Sequence, residues 1–331
     1  MSIEVVRAGL LTTVQDRGRH GHAALGIGHA GAMDGVALRL ANALVGNAPA
    51  AAALEICLVG PRLRFTSAAT IALVGADFDA QAGASPIPGW RSLRVEAGTV
   101  IDCGRARRGA WACLAVAGGI EAHRVLGSAS TDVNARLGGA PLREGEVLQV
   151  GRAGIAAGVR AVARAPATLA AFSLDPRPWF DPDPARPIRL VHGRHAHALD
   201  AASREALYAQ PFRVAADSNR VGLRLDGPRL RLGAPLELVS EPIAAGTVQL
   251  PPGGQPIALM AEHPTMGGYP RIGHVAAIDL PRLAQRRPGD AVRFAPIELD
   301  DAQTRYLARE DELERLCARI AARLDGGRTP R

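Results

Sequence analysis

Lysine is missing from this chain. Lys and Arg together number 39 of the 331 residues, and every one of them is arginine; against 32 acids they leave a formal charge of +7. A chain without lysine forms no side-chain Schiff base and has no P-loop lysine for a nucleotide's phosphates. Aromatic residues are scarce as well, at 4%, and the arginines are scattered rather than gathered in a stripe. That combination argues against a nucleic-acid surface, which needs stacking platforms and a clustered basic patch. The positive balance suits small anions or an acidic partner better. Only four cysteines occur, Cys57, Cys103, Cys113 and Cys317, with no CxxC pair. The first three sit in apolar, strand-like runs and read as small core residues, which fits a reducing cytoplasm. No apolar run approaches the ~20 residues that span a bilayer. The opening MSIEVVRAG carries Glu4 and no long apolar stretch, so no signal peptide is expected.

What is present is mostly strand. Short apolar runs at 3–6, 54–58, 63–65, 70–74, 93–96, 100–103, 111–116 and 147–150 are separated by Gly, Pro and Asp turns. A second series starts at Ile188 and includes 189–191, 212–215, 222–225, 236–239, 247–250, 257–260, 274–278 and 292–294. This spacing predicts an all-β barrel or sandwich. Helices are expected after the cap Asp34, around 200–208, as a short one capped by Asp279, and as a terminal one over 301–324 with Leu313, Leu316, Ile320 and Leu324 on one face. Between 151 and 187 the composition shifts to Ala, Arg and Pro, which reads as a connector. The expected domains are 1–151, a connector 152–187, a second β-rich unit 188–298, and a helix and tail 299–331. The pentapeptide Gly60-Pro61-Arg62-Leu63-Arg64 recurs as Gly227-Pro228-Arg229-Leu230-Arg231. Similarly, Ala97-Gly98-Thr99-Val100 resembles Pro288-Gly289-Asp290-Ala291. Together they imply that the two β-rich halves are copies.

The most site-like stretch follows the strand 257–260. Glu262, His263, Thr265 and Tyr269 crowd around Gly267-Gly268, with Pro264 and Pro270 stiffening the two ends. A polar, open loop on a rigid strand can display groups to a ligand; the same letters also describe an ordinary hairpin loop. The glycine- and histidine-rich segment 17–34 is too long for a turn and too rich in glycine for a helix, and long ordered loops tend to be functional. Its Gly26-x-Gly28-x-x-Gly31 matches a dinucleotide fingerprint in letters but lacks the βαβ context. His192-x-x-His195-x-His197 has metal-like spacing, but no carboxylate completes the set and no metal is expected. Ser128-x-Ser130-Thr131-Asp132 has no oriented base for a hydrolase triad and reads as a turn. Asp217-Ser218-Asn219-Arg220 is either a turn or a place where Arg220 grips an anion.

Taken in order, AGLLTTVQDRGRHGHAALGIGHAGAMD, LRLANALVGN, AALEI, LAVAGGI, LGSASTD, SNRVGLRL, GTVQLPPGGQPIALM and TMGGYPRIG resemble the biotin-dependent carboxyltransferase-like family, also called the allophanate hydrolase subunit 2 or KipA family. The resemblance runs from Ile3 to Phe294. It is nearest to the branch that serves as the C subunit of a bacterial ATP-dependent 5-oxoprolinase. What it implies is mainly β: two cyclophilin-like β-barrel subdomains with a few short helices and a C-terminal helix. It also implies a B subunit (allophanate hydrolase subunit 1, KipI-like) and an A subunit (LamB-like), which would open the lactam of 5-oxo-L-proline to L-glutamate with ATP and Mg. Two other readings belong to the same family. One is a carboxyltransferase of the urea or allophanate type, for which biotin would ride on another protein because this chain has no lysine to carry it. The other is a regulatory partner of a kinase-inhibitor protein.

Residue chemistry then nominates a site. Arg220 and Arg271 suit a carboxylate or phosphate. Gln15, Asn42, Gln249 and Gln255 suit an amide, with Asn219 and His263 beside them. Thr265, Gly267, Gly268 and Tyr269 would line the pocket. Asp34 and Glu55 are the carboxylates nearest the matching motifs and, with Thr265 and Tyr269, form the expected catalytic set. Asp34 reads equally well as a helix cap and Glu55 as a buried structural acid.

Overall fold

The alternating runs become strands of three main sheets in the computed structural model, which describes residues 1–152 and 167–324. The chain divides into two units. One is Met1–Arg19 with Asp34–Phe180 and Glu312–Arg331; the other is His20–Met33 with Asp181–Asp311.

In the first unit, one sheet has seven strands in the order Ile120–Glu121, Val147–Val150, Ser2–Arg7, Arg62–Phe65, Val100–Asp102, Gln81–Ala82, Ser85–Pro86. The other has six, in the order Ala167–Leu169, Ser92–Val95, Ala69–Phe78, Ala106–Val116, Ala53–Cys57, Leu11–Gln15. Because side chains alternate along a strand, Ile3, Val5, Leu63 and Phe65 from the first sheet meet Leu54, Ile56, Ile71, Leu114 and Val116 from the second in one apolar core. Each such side chain contributes roughly 1.5–3 kcal/mol by leaving water. The helix α1, Gly35–Leu44, packs on Ala69–Phe78 and Ala106–Val116. Its buried residues Leu38, Leu40 and Leu44 lie outside that core, so the helix covers the sheet's other face. Gly75 lets it approach: its φ is +114°, and a Cβ there would lie 2.5 Å from the Trp111 carbonyl oxygen and 3.4 Å from Ala37 Cβ.

The second unit is built on one eight-stranded sheet. Its order is Ala291–Val292, Phe212–Val214, Gly222–Asp226, Ile257–Leu259, Thr247–Gln249, Arg271–Val275, Ile188–His192, Phe294–Pro296. The two edge strands are separated in the chain by Arg293 alone. Two consecutive peptide units span at most ~7 Å, so the edges lie side by side and the sheet curls into a nearly closed barrel. Closure removes the unpaired edges that a flat sheet would present. Ile188, Leu190, Phe212, Leu225, Val248, Ala258, Ile272, Val275 and Val292 are fully buried here. The remaining helices are α2, Ala201–Ala209, α3, Leu280–Ala284, and α4, Leu299–Leu324. Asp200 caps α2, accepting from Ser203 N at 2.7 Å. On α4, Leu313, Ile320 and Leu324 are buried, while Leu316 is half-buried.

Several expectations need correction. The segment 236–239 is not a strand; Val239 is 85% exposed, and a short pair, Glu241–Pro242 with Met266–Gly267, follows it instead. Part of the connector, 153–166, lies outside the described residues, but Ala167–Leu169 is an edge strand paired with Ser92–Val95. The GPRLR repeat is a match of letters only: Leu63 lies in a strand paired on both sides, whereas Leu230 lies in none and its N–H bonds to Gly254 O. The second match does share local structure. Gly98 and Gly289 both have positive φ, donate to Phe65 O and Val214 O, and precede strands paired with Arg62–Phe65 and Phe212–Val214. The counterpart of Arg62–Phe65 is therefore Phe212–Val214, not the repeated pentapeptide.

Asp279 does not cap α3 with its side chain. Its fully buried carboxylate takes Arg189 Nε at 2.8 Å and Nη2 at 2.6 Å, Arg189 N at 2.8 Å and Arg282 Nη1 at 3.0 Å. Burial opposes the charged form, but these donors outweigh it and hold the carboxyl below its ordinary range. A depressed folded-state pKa stabilises the fold above the unfolded value of about 3.9, and that contribution is lost as pH falls through the folded value. We therefore expect Asp279→Asn to lower unfolding free energy by about 3 kcal/mol at neutral pH. Urea titrations between pH 2 and 7 should also show a flatter acid limb for the variant.

Candidate functional site

Two adjacent strands of the barrel, Thr247–Gln249 and Arg271–Val275, place most of the nominated groups on one piece of structure. The loop between Met260 and Arg271 starts from an anchor. Glu262 follows the strand Ile257–Leu259, and its carboxylate pairs with Arg220 Nε; both side chains are almost wholly buried. Glu262 N also donates to Arg220 O at 2.8 Å. Arg220 Nη2 reaches Gly31 O at 2.6 Å, so the same guanidinium fastens the glycine-rich segment within this unit. Burial pulls the guanidinium's pKa down, and Glu262 opposes that shift. Arg220 is thus a fastener between two loops rather than a hand held out to an anion.

His263 comes next and is 8% exposed. Its Nδ1 lies 2.7 Å from Pro264 O. A carbonyl only accepts, so Nδ1 carries a proton, and in the neutral form of the ring the lone pair lies on Nε2. His274, on the strand Arg271–Val275, is half-buried; burial first, then His263, pushes its pKa down. Thr265 is half-buried and Tyr269 is 47% exposed, and neither hydroxyl has a hydrogen-bond partner among the described residues. Gly267 is required by close approach: a Cβ there would collide with Gln249 Nε2 and stand 2.8 Å from Ile243 Cδ1. Gln249 is buried, and its Nε2 has no partner. Gly268 lies against Ser240, whose Oγ would be 3.3 Å from an added Cβ. The loop therefore carries two hydroxyls without partners among the described residues and an imidazole nitrogen, and its Gly267 lies against the unpartnered amide N–H group of Gln249.

Arg271 is committed elsewhere. It pairs with Glu241 through Nη2 and donates from Nη1 to Pro242 O at 3.3 Å, while Glu241 also takes Arg194 at 3.1 Å. Arg271 N donates to His195 Nδ1 at 3.0 Å, and burial followed by the charges of Arg271, Arg194 and His197 lowers the pKa of that histidine. His195 is thus a backbone clip, and among the described residues no three His, Cys, Asp or Glu side chains converge as a metal set. Gln255 and Asn219 sit apart from the loop. The Gln255 amide accepts from Gly227 N at 2.9 Å and donates to Gly227 O at 3.1 Å; Asn219 Oδ1 closes a turn on Val221 N at 2.8 Å.

The first unit holds the other four nominees. Glu55 is buried, with Thr13 and Cys113 as its cross-strand neighbours. Gln15, two residues beyond Thr13, donates to Thr13 Oγ1 at 3.0 Å and Thr131 O at 2.8 Å, and its buried Oε1 has no partner. Burial first, then the charge of Asp34, pushes the Cys113 thiol well up, which makes it a poor nucleophile. Asp34 is the α1 cap, accepting from Ala37 N at 2.9 Å. Asn42 ties the end of that helix down, donating to Ala51 O at 2.8 Å and accepting from Asn47 at 3.1 Å.

Sequence reasoning misses Asp16 as a centre. Its carboxylate accepts from Ser128 Oγ and Ser130 Oγ, each at 2.6 Å, Ala129 N at 2.7 Å and Gly18 N at 2.9 Å. Burial works against the charge, but these donors outweigh it and hold the pKa low. The Ser128-x-Ser130 pattern is the signal that could have found it: two hydroxyls two residues apart, both turned to a buried acid.

A family model described as "Carboxyltransferase domain, subdomain A and B" matches residues 25–296. The chain is 37% identical over 326 residues to the C subunit of 5-oxoprolinase from Escherichia coli (strain K12), covering 97% of this chain and 98% of that protein. It is 35% identical over 311 residues to the C subunit of 5-oxoprolinase from Haemophilus influenzae, covering 94% and 96%. The solved Kluyveromyces lactis urea carboxylase superposes with a TM-score of 0.83 at 26% identity, over 95% of this chain but 29% of that one.

If Arg220 is a fastener, its loss unfastens both loops at once. Arg220→Ala leaves Glu262 buried and unpaired and should lower unfolding free energy by about 3–5 kcal/mol. Amide exchange at residues 28–32 and 262–268 should rise together. Fast exchange in one loop with unchanged protection in the other would separate the two and refute the shared anchor.

Proposed function

The chain belongs to the carboxyltransferase domain family, and from that premise we propose that it is the C subunit of an ATP-dependent 5-oxoprolinase, working with a B subunit of the allophanate hydrolase subunit 1 (KipI-like) kind and a LamB-like A subunit. One observation carries this reading: the alignment to the Escherichia coli 5-oxoprolinase chain runs nearly end to end on both sides, covering 97% and 98%. A second reading, a carboxyltransferase acting with biotin carried on another protein, is favoured by the 30% identity to a putative urea carboxylase of Emericella nidulans, of which this chain spans 26%.

The chemistry asked of the complex is the opening of a stable lactam. Transfer of the γ-phosphate of ATP to the lactam oxygen, with ADP leaving, activates the carbonyl carbon. One water adds there, and the ring C–N bond breaks as the nitrogen takes a proton. A second water hydrolyses the resulting acyl phosphate to glutamate and phosphate. The transition state needs donors aimed at developing charge and a base for the incoming proton. On this chain, Thr265 Oγ1, Tyr269 OH and the unpartnered Gln249 amide suit the first task, and His263 Nε2 suits the second. Gly267, Gly268 and the Arg271–Glu241 pair shape the place where they act. With no lysine, the phosphates of ATP would rely on arginine or on another subunit, and Mg on oxygen ligands such as carboxylates and the phosphates themselves. Asp34, Asn42 and Gln255 serve the scaffold, and Glu55 and Gln15 are buried polar residues on paired strands of the first unit. Such groups bind and polarise, so the isolated chain is expected to be silent and the working protein a cytoplasmic hetero-oligomer.

The test is reconstitution. ATP hydrolysis dependent on 5-oxoproline should appear only when this chain, the B subunit and the A subunit are mixed. Activity from this chain alone would end the split-site idea. Transfer of a carboxyl group from a biotinylated carrier, with no 5-oxoproline turnover, would establish the second reading. In the mixture, Tyr269→Phe and Thr265→Ala should each lower kcat by roughly tenfold or more, about 1.4 kcal/mol of transition-state stabilisation. Their melting temperatures should shift little, because the loop displays these groups. Parallel losses of melting temperature and activity would make them structural instead.

A further inference from the structure

A second cleft in the barrel unit is used by nothing above. It has a volume of about 410 Å³ and lies between the end of the strand Ile188–His192 and the helix α2. That size falls within the ~300–1,000 Å³ range of clefts that hold small molecules. Its floor is apolar: Leu199 and Leu207 are 2% and 1% exposed and still line it. Its rim is polar, with His192, His197 and the cation Arg204, and none of its lining residues carries a carboxylate. Asp200, the acid whose charge reaches Arg204, has its own carboxylate turned to Ser203 N at 2.7 Å as the α2 cap. Arg204 commits Nη1 to His197 O at 3.2 Å, and its other donors have no partner among the described residues. Burial raises the pKa of Tyr208, keeping its phenol a neutral donor, and its OH lies 3.4 Å from His192 Nδ1.

We infer that this cleft is a binding site for a small organic anion, with an apolar, planar body lying on Leu199, Leu207 and the Tyr208 ring and a carboxylate or phosphate held at Arg204 and His197. The unit's other cleft, about 270 Å³ around Gln255, differs in charge: it carries Asp217 and Asp226 and neutralises its own Arg224 through Asp217 at 2.9 Å. The Arg204 cleft has no such internal counterion and takes it from a ligand. One wall is main chain shared with the candidate site. A Cβ on Gly193 would collide with Arg271 O and stand 2.5 Å from Gly273 N, so the strand that carries Arg271 packs directly against this wall.

The test needs neither partner subunits nor turnover. The full chain is titrated by calorimetry with 1-naphthoate, its neutral analogue 1-naphthamide, and 1-naphthyl phosphate. One equivalent of each anion should bind, with the amide at least tenfold weaker. Arg204→Gln should weaken naphthoate at least fivefold, and Ala196→Phe, which fills the cleft from its lip, should abolish binding; unchanged melting curves show that both variants fold. No saturable binding of either anion, equal affinity for acid and amide, or wild-type affinity in both variants would each overturn the assignment.

Discussion

Arg220 and Glu262 form an ion pair with almost no access to water. Withdrawing two charges from solvent costs several kcal/mol each, and their attraction recovers that only when the geometry is good and the remaining donors are satisfied. Here they are satisfied by backbone: Arg220 reaches Gly31 O, and its own carbonyl accepts from Glu262 N. An apolar pair of equal volume would fill the space. It would not fix where the chain leaves the strand Ile257–Leu259, nor which part of the glycine-rich segment lies beside it. The pair specifies register, and everything downstream inherits it. Pro264 O is placed to take the His263 proton, Gly267 falls against Gln249, and Tyr269 is turned outward.

The division between committed and uncommitted groups follows from that anchor. Arginines at 220 and 271 look on paper like the anion-binding hands of the site, yet each is held by a glutamate within its own unit. The groups left with bonding capacity are the weaker ones: two hydroxyls, an imidazole nitrogen and an amide N–H group. They suit the polarising of a carbonyl better than nucleophilic attack, because neutral hydroxyls and an amide N–H group donate hydrogen bonds readily but attack weakly.

Much of this is legible in the amino-acid sequence. Apolar runs mark most of the longer strands of both units, since a strand that faces the core must carry apolar side chains, but Leu11–Gln15 and short strands such as Gln81–Ala82 and Ile120–Glu121 go unmarked. The helix cap at Asp34 is legible because capping is a local affair between a side chain and an N–H three residues on. What the letters hide is non-local. Asp279 sits before a short helix as a cap would, but the Arg189 fork, 90 residues away, displaces a backbone N–H from its carboxylate. The 236–239 run has strand letters and no partner strand to hold it. The GPRLR repeat matches five letters, whereas the true correspondence, Arg62–Phe65 with Phe212–Val214, shows in pairing to the strand after each glycine turn. Gln249 and Gly267 are both nominated by their chemistry, but nothing in the letters says that the amide of one lies on the Cα of the other.

The absence of lysine has a structural side that composition alone hides. Arg19, Arg220 and Arg286 are 2–3% exposed. Each turns a guanidinium nitrogen to a loop carbonyl: Ser130 O for Arg19, Gly31 O for Arg220, Pro182 O and Arg186 O for Arg286. A buried loop carbonyl without a donor costs about 1–3 kcal/mol. The flat fork of an arginine can reach two segments at once, whereas an ammonium is a single hydrated point. In a chain of short strands joined by many irregular turns, such forks hold together what a longer hydrogen-bonded ladder would otherwise hold. The formal charge of +7 is therefore a poor measure of the surface a ligand meets: part of it is turned inward, onto the chain's own carbonyl groups. Only those arginines whose donors stay open, as at the rim beside His197, are available to something from outside.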